Sequence, residues 1–270
     1  MNFTGGPEPT AAHLALTEGL DPWEALSVVD MVWPDQSNHH GTLFGGAALA
    51  MLDRLAFIRG SQVLRGTVVT AAVSRLDFAA PAPAGHLVEC TARVLRQGRR
   101  SVTLNTDLVA EDLLSGQRTH CLSGDFVMVS QATPGDSHRH AAPSDSALLP
   151  HPSAPGPALP PVTRVAEIVF PGHANHRGIL HGGPAMAWLA KAGFVAATRC
   201  VRRTVVMASS ERMDFVAPAH VGEVVEVLAH VAHVGQRSVT VQADMWSESP
   251  TSGQRRLCTS SRLVYVSIDG

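Results

Sequence analysis

One carboxylate in this sequence interrupts a segment that is otherwise almost entirely apolar. Asp53 lies within residues 47–58 (AALAMLDRLAFI), a helical pattern with apolar side chains on nearly every face. Such a helix has to be buried, and burying a carboxylate costs several kcal/mol unless the charge is paired. A buried ionised group often has a chemical role, here as a general base or a nucleophile.

The chain contains two copies of one pattern, and the predicted domain organisation follows from this duplication. A shift of 137 positions aligns residues 31–130 with the later part of the chain without a gap. Self-similarity over such a length indicates a duplicated domain, and the stretch between the copies is rich in Pro, Ser and Ala. The predicted organisation is a tail (residues 1–26), a front half (27–132), a linker (133–161) and a rear half (162–270).

The two copies differ at the acid, which makes the repeat an internal control. Asp53 is matched by Ala190, whereas its neighbour Arg54 is matched by another cation, Lys191. An acid that the fold requires would be expected in both copies, but an active-site acid can be lost from one of two sites. The comparison therefore favours a catalytic role for Asp53.

Each half repeats the same order of predicted elements. A short strand leads into a polar loop carrying Asn38 or Asn175, and a Gly-Gly pair then opens a helix (about 46–64 and 183–201). Four runs rich in Val and Thr follow, and their short connections predict antiparallel pairing. These runs cover residues 68–78, 87–97, 101–111 and 118–129 in the front half, and 205–215, 224–234, 238–247 and 255–266 in the rear half. The pattern predicts an α+β fold in which one curved antiparallel sheet wraps around one central helix in each half.

A combined motif occurs once in each half. N-x-x-G-x-x-x-G-G begins at Asn38 and at Asn175, and D-F-x-x-P-x-x-x-G begins at Asp77 and at Asp214. The chain resembles the tandem acyl-CoA thioesterases of the hotdog superfamily in this respect. The resemblance implies two hotdog domains, hydrolysis of acyl-CoA, a site built from an Asp of one half and an Asn of the other, and assembly of double units, commonly as trimers.

Helix geometry determines which residues can share a site. Gly45 and Asp53 are eight residues apart on one helix, a separation of about 12 Å. A backbone amide at the helix start and the acid of the same site must therefore come from different halves, whose helices lie side by side. One site then combines Asp53 with Asn175, His181, Gly182 and Gly183.

The other pairing predicts a vestigial site. It combines Ala190 with Asn38, Phe44, Gly45 and Gly46, and it contains no acid. The sequence thus predicts one competent site in each chain.

The predicted chemistry at the competent site is acyl transfer to water. The amide of Gly182 or Gly183, at the positive end of a helix, would bind the thioester oxygen and stabilise the oxyanion. Asp53 would activate a water or attack directly to form an anhydride, and Asn175 would orient the water or the carboxylate. His181 would steady the loop or contact the substrate, while Arg100 and Arg237 at strand starts are candidates for binding the coenzyme A phosphates.

Two other functions compete with hydrolysis. Asp35 and His40 superficially resemble the Asp/His pair of hotdog enoyl-CoA hydratases or dehydratases, although the rear half has Gly172 and Arg177 there. A non-catalytic acyl-CoA-binding sensor is the second alternative, but such a protein has no need of a buried base.

The composition indicates which classes of partner and cofactor the protein is expected to lack. A formal net charge of -2 argues against nucleic-acid binding, and the absence of any apolar run of 18 residues predicts no membrane span. Four cysteines without C-x-x-C spacing, and histidines without a completing acid, predict no metal. We expect a cytoplasmic homo-oligomer that needs no cofactor beyond the coenzyme A of its substrate.

Overall fold

The computed structural model describes residues 24–130 and 162–268. The predicted linker at residues 133–161 lies outside the described residues, as do residues 1–23 of the predicted tail. The domain boundaries that depend on those segments stay predictions.

Each half contains one long helix and a set of antiparallel strands. The front half has β1 (Leu26–Met31), α1 (Gly45–Leu64), β2 (Val68–Val73), β3 (Leu76–Phe78), β4 (Leu87–Gln97), β5 (Ser101–Glu111) and β6 (Arg118–Ser130). The rear half has β7 (Thr163–Ile168), α2 (Gly182–Val201), β8 (Val205–Ser210), β9 (Met213–Asp214), β10 (Val224–Val234), β11 (Ser238–Glu248) and β12 (Arg255–Ser267). A single 3-10 turn precedes each helix, at Pro34–Gln36 and Pro171–His173.

The strands alternate in burial because one face of each sheet covers a helix. Along β5, every second residue from Val102 to Ala110 is buried, and β11 follows the same alternation from Val239. Helix α1 has buried residues on most of its surface, as its apolar sequence predicts. This arrangement confirms the predicted α+β fold with two hotdog domains.

The two halves form one continuous twelve-stranded sheet. β3 pairs with β8 through Leu76 and Ser210, and β2 pairs with β9 through Ala72 and Asp214. Backbone hydrogen bonds therefore join the two sheets across the boundary between the halves, which we call the seam.

The two helices also meet across the seam. A Cβ atom on Gly46 would lie 2.9 Å from the Cα of Ala187, and one on Gly183 would lie 3.0 Å from the Cα of Ala50. The helices therefore run in opposite directions side by side, and the second glycine of each Gly-Gly pair lets them approach closely. This contact brings the start of α2 next to the middle of α1.

One prediction about the strands was wrong. Residues 68–78 form two strands rather than one, and residues 205–215 divide in the same way. At the break the amide of Ser74 still donates to the carbonyl of Asp125 on β6, and β3 then pairs with strands of both halves. The other predicted bounds agree with the structure to within a few residues.

Within residues 24–130 and 162–268, no helix is both long enough and apolar enough to cross a membrane.

Candidate active site

Asp53 is buried at the seam and held from both halves. Its residue is 1% exposed, in the middle of α1. One carboxylate oxygen, Oδ2, accepts a hydrogen bond of 2.7 Å from the backbone amide of Gly183. The other, Oδ1, accepts one of 2.6 Å from the hydroxyl of Thr70 on β2. The contact between halves that helix geometry requires is therefore present.

The start of α2 suits a carboxylate for a general reason. The first amides of a helix have no partner within the helix, and the helix dipole places partial positive charge there. Gly183 donates one of these amides to Asp53, and Gly182 precedes it at the first helical position. Gly182 has no room for a side chain, since a Cβ there would lie 2.7 Å from the Oδ1 atom of Asp53.

Burial and hydrogen bonding act in opposite directions on this acid. Burial raises the pKa of Asp53 above its ordinary value, whereas the hydrogen bonds from Thr70 and Gly183 and the charge of nearby His181 lower it in part. Burial also lowers the pKa of His181, which Asp53 partly offsets. A carboxylate with a raised pKa is suited to accepting a proton.

His181 occupies the position just before α2, where its extended backbone ends the preceding loop. Its ring contacts Phe57 of α1 edge-on, with ring centroids 4.7 Å apart, and its amide donates to the carbonyl of His173. The side chain therefore packs across the seam beside Asp53.

Asn175 shapes the loop that leads to the helix. Its side-chain oxygen accepts from the amides of Arg177 and Ile179, at 2.9 and 3.2 Å, so this oxygen is committed to the loop. Asp53 accepts its hydrogen bonds from Thr70 and Gly183, and not from the side-chain nitrogen of Asn175.

Asn38 makes the equivalent bonds in the front half, to the amides of His40 and Thr42. One difference separates the two loops. The side-chain nitrogen of Asn38 donates to the Thr42 hydroxyl at 2.9 Å, whereas the rear half has Ile179 at the matching position. The nitrogen of Asn175 lacks that acceptor.

At the second seam position, which the sequence predicts to be vestigial, apolar side chains replace three polar ones. Ala190 replaces Asp53, Met207 replaces Thr70 and Phe44 replaces His181. A Cβ on Gly45 would meet Met207 at 3.1 Å, where a Cβ on Gly182 meets Thr70 and Asp53. Gly45 and Gly46 still begin α1 and Asn38 is retained, but the acid, the hydroxyl and the imidazole are missing.

Tyr265 occupies the space near Ala190. This fully buried side chain donates a hydrogen bond of 2.7 Å to the Ala190 carbonyl, and Met128 stands at the matching front-half position.

Sequence reasoning missed Thr70. A threonine in a Val- and Thr-rich strand carries no signal by itself, because such residues are common in strands. The signal was available in the repeat, where Thr70 of the half with the acid is matched by Met207. Comparison of every polar residue with its partner in the other half would have found it.

The two candidate arginines lie at opposite ends of the helix pair. Arg237 lines a cavity of about 230 Å³ together with Val201 and Arg203, where α2 ends. Since α2 has 20 residues, this cavity is about 30 Å from Gly182 along the helix. Arg100 precedes β5, and its backbone carbonyl accepts from the Ser130 amide at the end of the helix pair where α2 begins. The position of Arg100 therefore suits the Asp53 site better than the position of Arg237 does.

The residues of the competing functions are not assembled into a site. Asp35 and His40 are both exposed in the front-half loop. Among the described residues, no group of three His, Cys, Asp or Glu side chains could hold a metal ion, and the four cysteines are free thiols.

Comparisons with known proteins agree with the duplicated fold. The family model described as "Thioesterase superfamily" matches residues 40–116 and again residues 177–254. The chain is similar to Acyl-coenzyme A thioesterase 11 of Mus musculus, with 24% identity over 98% of this chain and 50% of that protein. It thus spans about half the length of this relative.

Two solved structures are also similar. An acyl-CoA hydrolase from Agrobacterium tumefaciens is 40% identical, with 91% of this chain and 96% of that chain covered and a TM-score of 0.40. An oleoyl thioesterase (putative) from Lactobacillus plantarum is 13% identical, with 92% and 98% covered and a TM-score of 0.62, which is a likeness of fold alone.

Proposed function

Because the chain belongs to the thioesterase superfamily, we propose that it hydrolyses acyl-CoA thioesters to a free acid and coenzyme A at the Asp53 site. The observation that carries this proposal is the cross-seam contact. A buried carboxylate of one half lies 2.7 Å from an amide at the helix start of the other half. This contact supports a site in which a base lies beside an oxyanion donor, as acyl transfer to water requires.

We assign different roles to the two backbone amides at the start of α2. Gly183 already donates to Asp53 and fixes the direction of the carboxylate, so we assign the thioester oxygen to the amide of Gly182. Negative charge that develops on this oxygen in the transition state would be stabilised by the amide and by the start of α2. The nitrogen of Asn175 would donate to the attacking water.

Asp53 can act by either of two routes. As a general base it removes a proton from water as the water attacks the carbonyl carbon, and the proton then passes to the departing sulfur. As a nucleophile it attacks the carbonyl carbon and expels the thiolate of coenzyme A, and water then cleaves the mixed anhydride to the free acid and the Asp53 carboxylate. Label found in the Asp53 carboxylate after a single turnover in ¹⁸O-labelled water identifies the anhydride route with water attacking the Asp53 carbon, because the general-base route never places the label there.

The proposal includes a single competent site in each chain. It is supported by three replacements at the other seam position, where Ala190, Met207 and Phe44 stand for the acid, the hydroxyl and the imidazole. An amide at the start of α1 without a base opposite it can bind a carbonyl but cannot activate water.

Substitution of the acid tests the function directly. Asp53→Asn keeps both hydrogen bonds, because an amide side chain can accept from Gly183 and donate to the hydroxyl of Thr70. We expect kcat for acyl-CoA hydrolysis to fall by about 10³-fold, since the base is lost while the packing stays. The assay measures free thiol released from short, medium and long acyl-CoA.

Asp125→Asn is the matched control, because this carboxylate is also partly buried in the front half and accepts from Asn105. We expect the control to keep its activity. If Asp53→Asn turned over acyl-CoA as fast as the control, the carboxylate would not be the base. Hydration of an enoyl-CoA without thiol release would instead support the hydratase alternative.

Assembly and location are the remaining parts of the proposal. Trp33 and Phe170 occupy matching positions in the two halves and are 52% and 56% exposed, which supports a homo-oligomer, with the trimer favoured by family resemblance. A cytoplasmic location, no cofactor and no nucleic-acid partner are proposed from composition alone.

A further inference from the structure

A second buried carboxylate lies in the rear half, outside the Asp53 site. Glu223 is 8% exposed and is the last residue of a tight turn, residues 218–223, which we call the rear turn. Its Oε2 atom accepts from the backbone amide of His220 at 2.8 Å and from the Ser247 hydroxyl at 2.6 Å. Arg256 donates to both carboxylate oxygens, at 2.6 Å for Oε1.

Arg256 also holds the other end of the rear turn. Its Nε atom donates to the carbonyl of Pro218 at 2.8 Å. Burial opposes ionisation of Glu223, but the bonds from Arg256, Ser247 and the His220 amide outweigh it and lower the pKa to about 2. The network of Glu223, Ser247 and Arg256 therefore stays ionised and closed at neutral pH.

The rear turn is the surface on which the loop before α2 rests. The amide of Leu180 donates to the Ala219 carbonyl at 2.9 Å, and the amide of Val221 donates to the Gly178 carbonyl at 2.9 Å. Leu180 is only two positions before Gly182. Displacement of the rear turn would therefore move the amides of the reaction site.

The front half has the same backbone contacts without the network. Leu43 donates to the Ala82 carbonyl at 2.8 Å, which matches the contact of Leu180 with Ala219. The positions of Glu223, Ser247 and Arg256, however, are taken by His86, Ala110 and Thr119.

The matching turn of the front half has no amide that needs a carboxylate as acceptor. Pro83 stands at the position of His220, and a proline has no amide that requires an acceptor. The ionic network thus occurs only beside the loop that carries Gly182, and the loop of the vestigial site lacks it.

We infer that Glu223, Ser247 and Arg256 are positioning residues that hold the loop of residues 175–183 in register with Asp53. They act through the rear turn and do not touch the reacting atoms. The catalytic part of this inference rests on the proposed function, whereas the control of loop position does not.

Hydrogen exchange tests the positioning without any need for activity. In Glu223→Gln the neutral side chain holds Arg256 less tightly, so we expect deuterium uptake at residues 178–183 to rise about tenfold in rate. The front-half loop, residues 41–46, serves as the internal reference and should keep its exchange rate.

Kinetics test the consequence for the reaction. We expect Glu223→Gln to lower kcat for acyl-CoA by about tenfold with KM changed less than about threefold, because misplaced amides weaken the transition state more than substrate binding. The acid limb of the pH profile should also move to higher pH, since a weaker bond from Gly183 raises the pKa of Asp53 further.

Asp244→Asn is the control, a carboxylate of the same sheet that accepts from Gln242 and Ser260 and does not contact the rear turn. Its Tm should fall while kcat and the pH profile stay as in the wild type. If Glu223→Gln does not fold, the same exchange and kinetic measurements are made on Ser247→Ala. That variant introduces the front-half residue and removes one hydrogen bond of the network.

A lower Tm with unchanged exchange at residues 178–183 and unchanged kcat would overturn the inference. Failure of the proposed function would be visible separately, as wild-type activity that does not depend on Asp53. The exchange comparison would even then decide whether the network holds the loop.

Discussion

The hydroxyl of Thr70 donates to a carboxylate whose pKa burial has raised, and this bond favours the ionised form of Asp53. Either proposed route needs that ionised form. In Thr70→Val the hydrogen bond is lost, so the pKa of Asp53 rises further. We expect the acid limb of the kcat/KM profile to move to higher pH, while the plateau at high pH falls by less than about tenfold.

Thr106→Val is the matched control for that profile. Thr106 is as deeply buried in the front half, but its hydroxyl donates to the Gly124 carbonyl rather than to Asp53. Its acid limb should stay in place. His181 is the other titratable group near Asp53, and its lowered pKa keeps it neutral across the basic range. A Thr70→Val profile that overlays the wild type would mean that Asp53 does not control the limb.

Some residues of the proposed site could be identified from the sequence, and others could not. Asp53 was predictable because an acid in an apolar helix is unusual, and Gly182 because a motif marked it. Thr70 and Glu223 were not found, since a strand threonine and a glutamate after a turn are ordinary in sequence. Their proposed roles depend on the groups that the fold brings to within 2.6–2.8 Å of them.

At the scale of elements, the starts of the two helices form a natural pair for comparison. A methyl group on Gly182 would lie 2.7 Å from the Asp53 carboxylate and 2.9 Å from the Thr70 hydroxyl, both of which belong to the proposed site. We expect Gly182→Ala to lower kcat/KM by about 10²-fold or more, because the acid is displaced from its position.

The matching change, Gly45→Ala, should be far milder. Its methyl group would lie 3.1 Å from the Met207 Cβ, 3.2 Å from its Sδ and 3.4 Å from Phe78, contacts that shifts of a few tenths of an ångström relieve and that involve no group of the proposed site. We expect activity within about threefold of the wild type. Equal losses from the two variants in the same assay would contradict a single competent site.

The helices and long strands were predictable from local pattern, but the short strands at the seam were not. Residues 68–78 have a continuous strand-like composition, so periodicity gives no reason to divide them. The break between β2 and β3 is imposed by pairing with β8 and β9 of the other half. Contacts between distant segments, which a local pattern does not contain, determine it.

For the whole molecule, the buried acid has a cost in stability. The pKa of Asp53 is raised in the folded state, so the unfolded chain releases its proton at lower pH than the folded one. Stability therefore falls as pH rises from the unfolded value of 3.8 through the folded pKa, and the loss persists above it.

Asp53→Asn removes this penalty. We expect its Tm at pH 8 to exceed that of the wild type by about 2–4 °C, as is typical where function and stability compete. Thermal melts from pH 4 to pH 8 should show the difference shrinking towards acid. A variant less stable than the wild type at pH 8 would show that the two hydrogen bonds outweigh burial.

The presence of two hotdog domains was predictable because a gapless repeat and an apolar helix leave few alternatives. What the sequence did not contain was the continuity of the sheet across the seam. Because of that feature β2 and β3 pair with strands of both halves, so backbone hydrogen bonds cross the seam.

The covalent link between unlike halves has one more consequence. A pair of front halves would bring Asp53 to a loop with Phe44, and a pair of rear halves would bring His181 to Ala190. Neither like-with-like association assembles the full set of groups. Fusion of the two sequences into one polypeptide guarantees the obligate heterodimer that does, at equal stoichiometry and without any competition from mismatched partners.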